Sequence, residues 1–147
     1  MNKPFRELLT TNIESANCIL TGIPYDLGCS VGKGARLAPK RIRELSGFLP
    51  AFTKDGKDIR NFKIYDNGDI KKFDALESEM IKLYDKKSLK LFIGGDHSVS
   101  IPLQKAFIKK ARENVKIPVI LHIDAHPDIL DFYNGSKYSH ACTNKRA

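Results

Sequence analysis

Long apolar runs and paired cysteines are both missing from this 147-residue chain. No stretch approaches the roughly 20 apolar residues that a membrane-crossing helix requires. The opening MNKPFRELLTTNIESAN has no apolar core of the kind a secretory leader carries. The three cysteines, Cys18, Cys29 and Cys142, are odd in number and far apart, with no C-x-x-C pair. A disulfide framework and a thiolate zinc site are therefore not expected, and reduced thiols fit a cytoplasmic protein. Internal repeats, low-complexity tracts and a clear linker are also lacking, which leaves a single domain spanning residues 1–147.

What is present is an ordinary globular mixture, 41% hydrophobic and 29% charged residues. The formal charge of +8 raises the question of nucleic acid. The lysines, however, are spread along the chain and interleaved with acids and apolar positions, as in KKFDALESEMIKLYDKK, so they read as solvated helix faces. With no aromatic RNA-binding motif, zinc finger or basic block, neither a nucleic-acid nor a membrane partner is expected.

Four short apolar runs have the character of buried strands: Cys18 to Ile23, Phe62 to Asp66, Leu89 to Gly95 and Ile117 to Asp124. Between them the pattern predicts helices over Pro39 to Ser46, Asp74 to Lys86 and Val99 to Val115. Strands alternating with helices imply α/β architecture around a parallel sheet, in which ligands gather at the carboxyl ends of the strands. The chemistry is then to be sought in PYDLGCSVGKG, NGD, GGDHS and DAHPD. Gly28 to Pro39 superficially matches a phosphate-binding loop, but three residues rather than four precede Gly32-Lys33, and Gly34 stands where Ser or Thr is required. A flexible loop at the mouth of a site is the better reading.

Residues at i, i+2 and i+4 of an extended segment point the same way, so Asp124, His126 and Asp128 can converge beyond the last apolar run. His97, following LFIGGD, would stand at the end of a neighbouring strand. Two carboxylates and two imidazoles suit a fairly hard divalent ion such as manganese, with zinc and iron as alternatives. Carboxylate bridging would let two ions lie about 3.5–4 Å apart and share a hydroxide. A D-x-H alone arises easily by chance in a surface loop; D-A-H-x-D after an apolar strand, beside a second strand ending G-G-D-H-S, does not. His140, in SKYSHAC, is either a solvent-exposed polar residue or a proton carrier. Asp69 and Asp96 are either partners that orient the ligands or caps of turns and helices.

In chain order, GIPYDLGCSVGKGARLAPKRIRE (Gly22 to Glu44), GGDHSVSIPL (Gly94 to Leu103), HIDAHPD (His122 to Asp128) and KYSHAC (Lys137 to Cys142) closely resemble the amino-terminal half of the ureohydrolases, the family of arginases and agmatinases. The resemblance implies a three-layer α/β/α sandwich with a parallel sheet, incomplete in this chain, and a binuclear Mn2+ centre that hydrolyses a guanidino group to urea and an amine. It assigns His97, Asp124 and Asp128 to one manganese and Asp124 and His126 to the other, with His140 shuttling a proton or touching substrate. DFYNGSKYSHAC is more similar to the agmatinase branch, which makes agmatine, cleaved to putrescine and urea, the first substrate expectation. Guanidinobutyrate, proclavaminate-type guanidines and formiminoglutamate stay open. A zinc deacetylase of related fold would also carry an Asp-x-His, but GGDHS and the Gly22 to Glu44 segment point away from it.

Members of that family are about twice as long, assemble as trimers or hexamers, and carry an S-x-D-x-D-x-x-D-P motif in their second half that completes both metal sites. No such motif occurs among these residues. With Asp124 and Asp128 as the only carboxylates, two dications and a hydroxide would keep a net positive charge at close range. One metal or none is therefore expected, at His97, Asp124 and Asp128, with no turnover by the chain alone. The remaining half is either absent, leaving a non-catalytic fragment that binds one metal or joins a full-length subunit, or supplied by a partner chain.

Overall fold

Six consecutive buried residues, Cys18–Ile23, form β1, the central strand of a three-stranded parallel sheet in the computed structural model, which describes residues 3–147. β2 (Ile64–Asp69) and β3 (Leu89–Gly94) flank it in the order β2-β1-β3. Side chains of β1 alternate between the two faces of the sheet. Cys18 and Leu20 pack with Ile64, backed by Phe5, Leu8 and Ile93, on one face. Ile23 packs with Leu76 and Val99, backed by Phe73, Phe92 and Leu103, on the other.

Each parallel crossover needs a helix. α1 (Ala38–Ser46), with Pro39 in its first turn, links β1 to β2. It lies so close over Gly22 that a Cβ there would come within 2.8 Å of the Arg43 guanidinium and 3.0 Å of Pro39. α2 (Leu76–Tyr84) and α3 (Ser100–Glu113) cover the opposite face, and Met80 and Ala106 are fully buried there. Helices on both faces of a parallel sheet make the three-layer α/β/α arrangement that the sequence implies. Both helix starts lie later than the pattern predicts, because single 3-10 turns, Phe73–Ala75 and His97–Val99, occupy the approach to each.

Two strand expectations need correction. The second strand begins at Ile64 rather than Phe62 and runs past Asp66 through NGD to Asp69. Arg43 is the reason: its guanidinium grips both oxygens of Asp66, at 2.7 and 2.8 Å, and Asp69 at 2.7 Å. The extra residue on β2 is absorbed by a register slip between Leu20 and Gly22. The fourth run, Ile117 to Asp124, is not a strand. β3 is the sheet's edge, and the run beside it in sequence is bare, with Ile117 91% and Ile123 87% exposed. Parallel strands are stabilised by cover on both faces; here the face of Ile117, Val119, Leu121 and Ile123 is open, and Pro118 and His122 on the other are only partly covered. Among the described residues, no helix is long and apolar enough to cross a membrane.

Candidate metal centre

The His97 side of the site is built by close packing at the carboxyl ends of β1 and β3. Asp96 accepts a hydrogen bond from the Ser98 amide at 2.8 Å and another from the Ser98 hydroxyl, capping the turn that presents His97. Its second oxygen accepts the Gly28 amide at 2.8 Å, and its own amide donates to the Tyr25 carbonyl at 2.9 Å. Gly95 is required beside this contact, since a Cβ on it would lie 1.9 Å from that carbonyl oxygen. Asp96 is thus a cap and a tie to the Gly-rich loop, and it touches none of the expected ligands. Asp69 is engaged by Arg43 instead. The loop itself has given two amides to carboxylates, Gly28 to Asp96 and Gly34 to Asp26 at 2.8 Å, which leaves it unlike a phosphate cradle.

The other side comes from residues 122–128, with no ladder to support it. Asp124 accepts the His126 amide at 3.0 Å, closing a tight turn on itself. That amide, with His97 and His122 nearby, holds the Asp124 carboxyl below its ordinary value. His122 donates to the His126 carbonyl at 3.0 Å and stacks on the His97 ring, 5.4 Å between centroids and 20° apart in plane. Asp128 takes a left-handed backbone conformation, φ 49°, and its carboxylate accepts from His97 Nδ1 at 2.6 Å. His97 Nδ1 is also 3.6 Å from Asp124 Oδ2.

His97, Asp124 and Asp128 therefore each bring one ligand atom into a group whose members all lie within 4.8 Å of one another. One imidazole nitrogen and two carboxylate oxygens form a mixed hard set, compatible with manganese and also with zinc or iron. His126 does not join them. Its side chain is 80% exposed, with Nδ1 3.8 Å from the far oxygen of Asp124, because the turn at Asp124 sends it outward.

His140 lines a cleft of about 480 Å3 together with Asp128 of the group, the outward-turned His126, Ile129, Leu130 and Tyr133. Its Nδ1 donates to the Gly28 carbonyl at 2.8 Å, and the Tyr133 ring meets it edge-on at 5.6 Å. In the neutral ring that hydrogen bond places the proton on Nδ1 and leaves Nε2 as the acceptor. Tyr133 is held by a two-residue hairpin at Asn134-Gly135, both at positive φ, closed by paired Tyr133–Ser136 hydrogen bonds of 3.0 Å. No lysine or arginine lines the cleft.

Sequence reasoning missed two residues. His122 carried a signal, since it precedes Asp124 by the same two-residue step that had singled out His126. Thr143, fully buried with its hydroxyl 3.2 Å from Asp128, carried none.

Compared with known proteins, residues 16–147 match the Arginase family. The chain is 31% identical to an agmatinase of Pyrococcus horikoshii over 95% of its own length and 50% of the relative's. It is 35% identical to arginase 1, mitochondrial, of Arabidopsis thaliana over 89% of its length and 42% of that protein. The crystal structure of agmatine ureohydrolase of Thermoplasma volcanium superposes with a TM-score of 0.79 at 26% identity, over 99% of this chain and 50% of that one. The chain spans about half the length of the curated relatives it matches.

Proposed function

The chain belongs to the Arginase family, and from that premise we propose that it is the amino-terminal half of a cytoplasmic, metal-dependent amidinohydrolase that acts on agmatine. The observation that carries this reading is the convergence of His97, Asp124 and Asp128 at the strand ends. Bound there, a divalent ion such as Mn2+ supplies Lewis acidity and lowers the pKa of water toward neutrality. The chain's own residues divide the rest of the work. His140 Nε2, with Nδ1 tied to Gly28, accepts or returns a proton at the cleft wall. Ile129, Leu130 and Tyr133 exclude water from an aliphatic chain. Agmatine, the decarboxylated guanidine, is favoured over arginine because the cleft offers an α-carboxylate no lysine or arginine among the described residues, only neutral donors such as Ser30 and Tyr133.

Three protein ligands serve one ion. A second ion, and with it urea formation, depends in this reading on carboxylates outside these 147 residues. The row of exposed side chains from Ile117 to Ile123 favours a companion reading, in which the chain works in association with further polypeptide.

The test is a titration of the purified chain with Mn2+, followed by calorimetric binding of agmatine and arginine to the loaded form and an assay for urea. One ion per chain, tighter binding of agmatine and no urea are expected. Two retained ions or turnover by the chain alone would overturn the one-ion site, and equal binding of arginine would overturn the substrate preference.

A further inference from the structure

Asp128 lies outside any strand, yet it is the most deeply buried of the three converging ligands. Something other than a ladder must hold it, and α4 (Thr143–Arg146) does so through three groups. The amides of Asn144 and Lys145 both reach the Asp128 carbonyl, at 2.9 and 3.4 Å. The Asn144 side-chain amide donates to the Pro127 carbonyl at 2.9 Å. The Thr143 hydroxyl lies 3.2 Å from Asp128 Oδ2, 3.4 Å from His97 Nδ1 and 2.8 Å from the His140 carbonyl. The first two contacts pin the backbone around a left-handed residue, a conformation that a non-glycine side chain rarely adopts unaided. The third places a hydroxyl beside its carboxylate.

We propose that Thr143 is a positioning residue for metal binding, orienting Asp128 for the ion held by His97, Asp124 and Asp128; the inference rests on the metal reading above. The chemistry is a matter of counting partners. Without an ion, Asp128 Oδ2 is oriented by His97 Nδ1 at 2.6 Å. If both groups held the ion, with Nδ1 as the imidazole's ligand atom, this hydrogen bond would be lost. Thr143 is then the side chain left to hold the carboxylate. Its one proton, whose nearer acceptor here is the His140 carbonyl at 2.8 Å, would then turn to Oδ2 at 3.2 Å, leaving the other lone pair of Oδ2 and both of Oδ1 for coordination.

The test compares the full chain with Thr143→Val, Thr143→Ser and Asn144→Ala, measuring Mn2+ affinity by calorimetry, the visible spectrum of the Co2+ form and the unfolding midpoint without metal. Loss of an outer partner of a ligand costs roughly 10–100-fold in metal affinity. T143V is expected to weaken Mn2+ binding by that factor and to alter the Co2+ bands, T143S to restore both, and N144A to weaken binding less than T143V. A folded T143V with unchanged affinity and spectrum overturns the proposal. If T143V does not fold, Thr143→Ala decides in its place, and unchanged affinity in a folded T143A overturns it. A wild-type chain that binds no divalent ion overturns the metal reading and this inference together, whereas wild-type binding with an indifferent T143V overturns this inference alone.

Discussion

His97 and Asp128 lie 2.6 Å apart, but the chain delivers them by opposite means. His97 follows β3, whose ladder to β1 runs without a slip from Leu89 to Gly94, and its turn is capped by Asp96. Asp128 follows an equally apolar run that pairs with nothing, and it is held by hydrogen bonds from α4. LKLFIGG and IPVILHID have nearly the same propensity. The first has β1 beside it and helices over one face; the second pairs with no strand and leaves Ile117, Val119, Leu121 and Ile123 in water. An apolar extended run becomes a strand only where neighbours accept its backbone and cover its faces.

The comparison breaks most visibly in the core beneath the first arm. Leu20→Ala, fully buried on β1, should cost about 3 kcal/mol of stability in chemical denaturation. A loss below the roughly 2 kcal/mol lower bound for such sites would mean that the ladder side is as loose as the other. Next in size is the effect of the ion that bridges the arms. Mn2+ at about 100 times its Kd should stabilise the wild type by about 2.7 kcal/mol, and Asp128→Asn should abolish that gain in the same assay. Arg43→Gln, which frees Asp66 and Asp69 at the end of β2, should cost about 2 kcal/mol while leaving Mn2+ affinity unchanged, since neither aspartate touches the metal group. The smallest effect belongs to the second arm: Leu121→Lys, at a side chain 84% exposed, should shift stability by no more than about 0.5 kcal/mol. A larger loss would show that 117–123 is covered in solution.

Much of the sheet could be read directly. CILTGI and LKLFIG are bounded in the structure as the apolar pattern marks them, to within a residue, because burial on β1 and periodicity before α3 are properties of contiguous residues. The extension of β2 through Asn67 and Gly68 could not be read, since it depends on an arginine more than 20 residues away. At the site, alternation implied that Asp124, His126 and Asp128 share a side. That inference assumes an extended backbone. The turn at Asp124 turns His126 out, and the left-handed Asp128 brings its carboxylate back toward His97.

The order of the first three strands and the helices between and after them, the placement of GGDHS and DAHPD beyond apolar runs, and the family those motifs belong to were determined by the sequence alone, because each rests on residues adjacent in the chain. Which ligand-type side chains meet, that Asp96 caps instead of ligating, and that Thr143 reaches Asp128 were decided only by tertiary structure. Those outcomes depend on where two or three distant backbones stop, and hydrogen bonds a few ångströms long are satisfied or missed by single dihedral changes that no local pattern encodes.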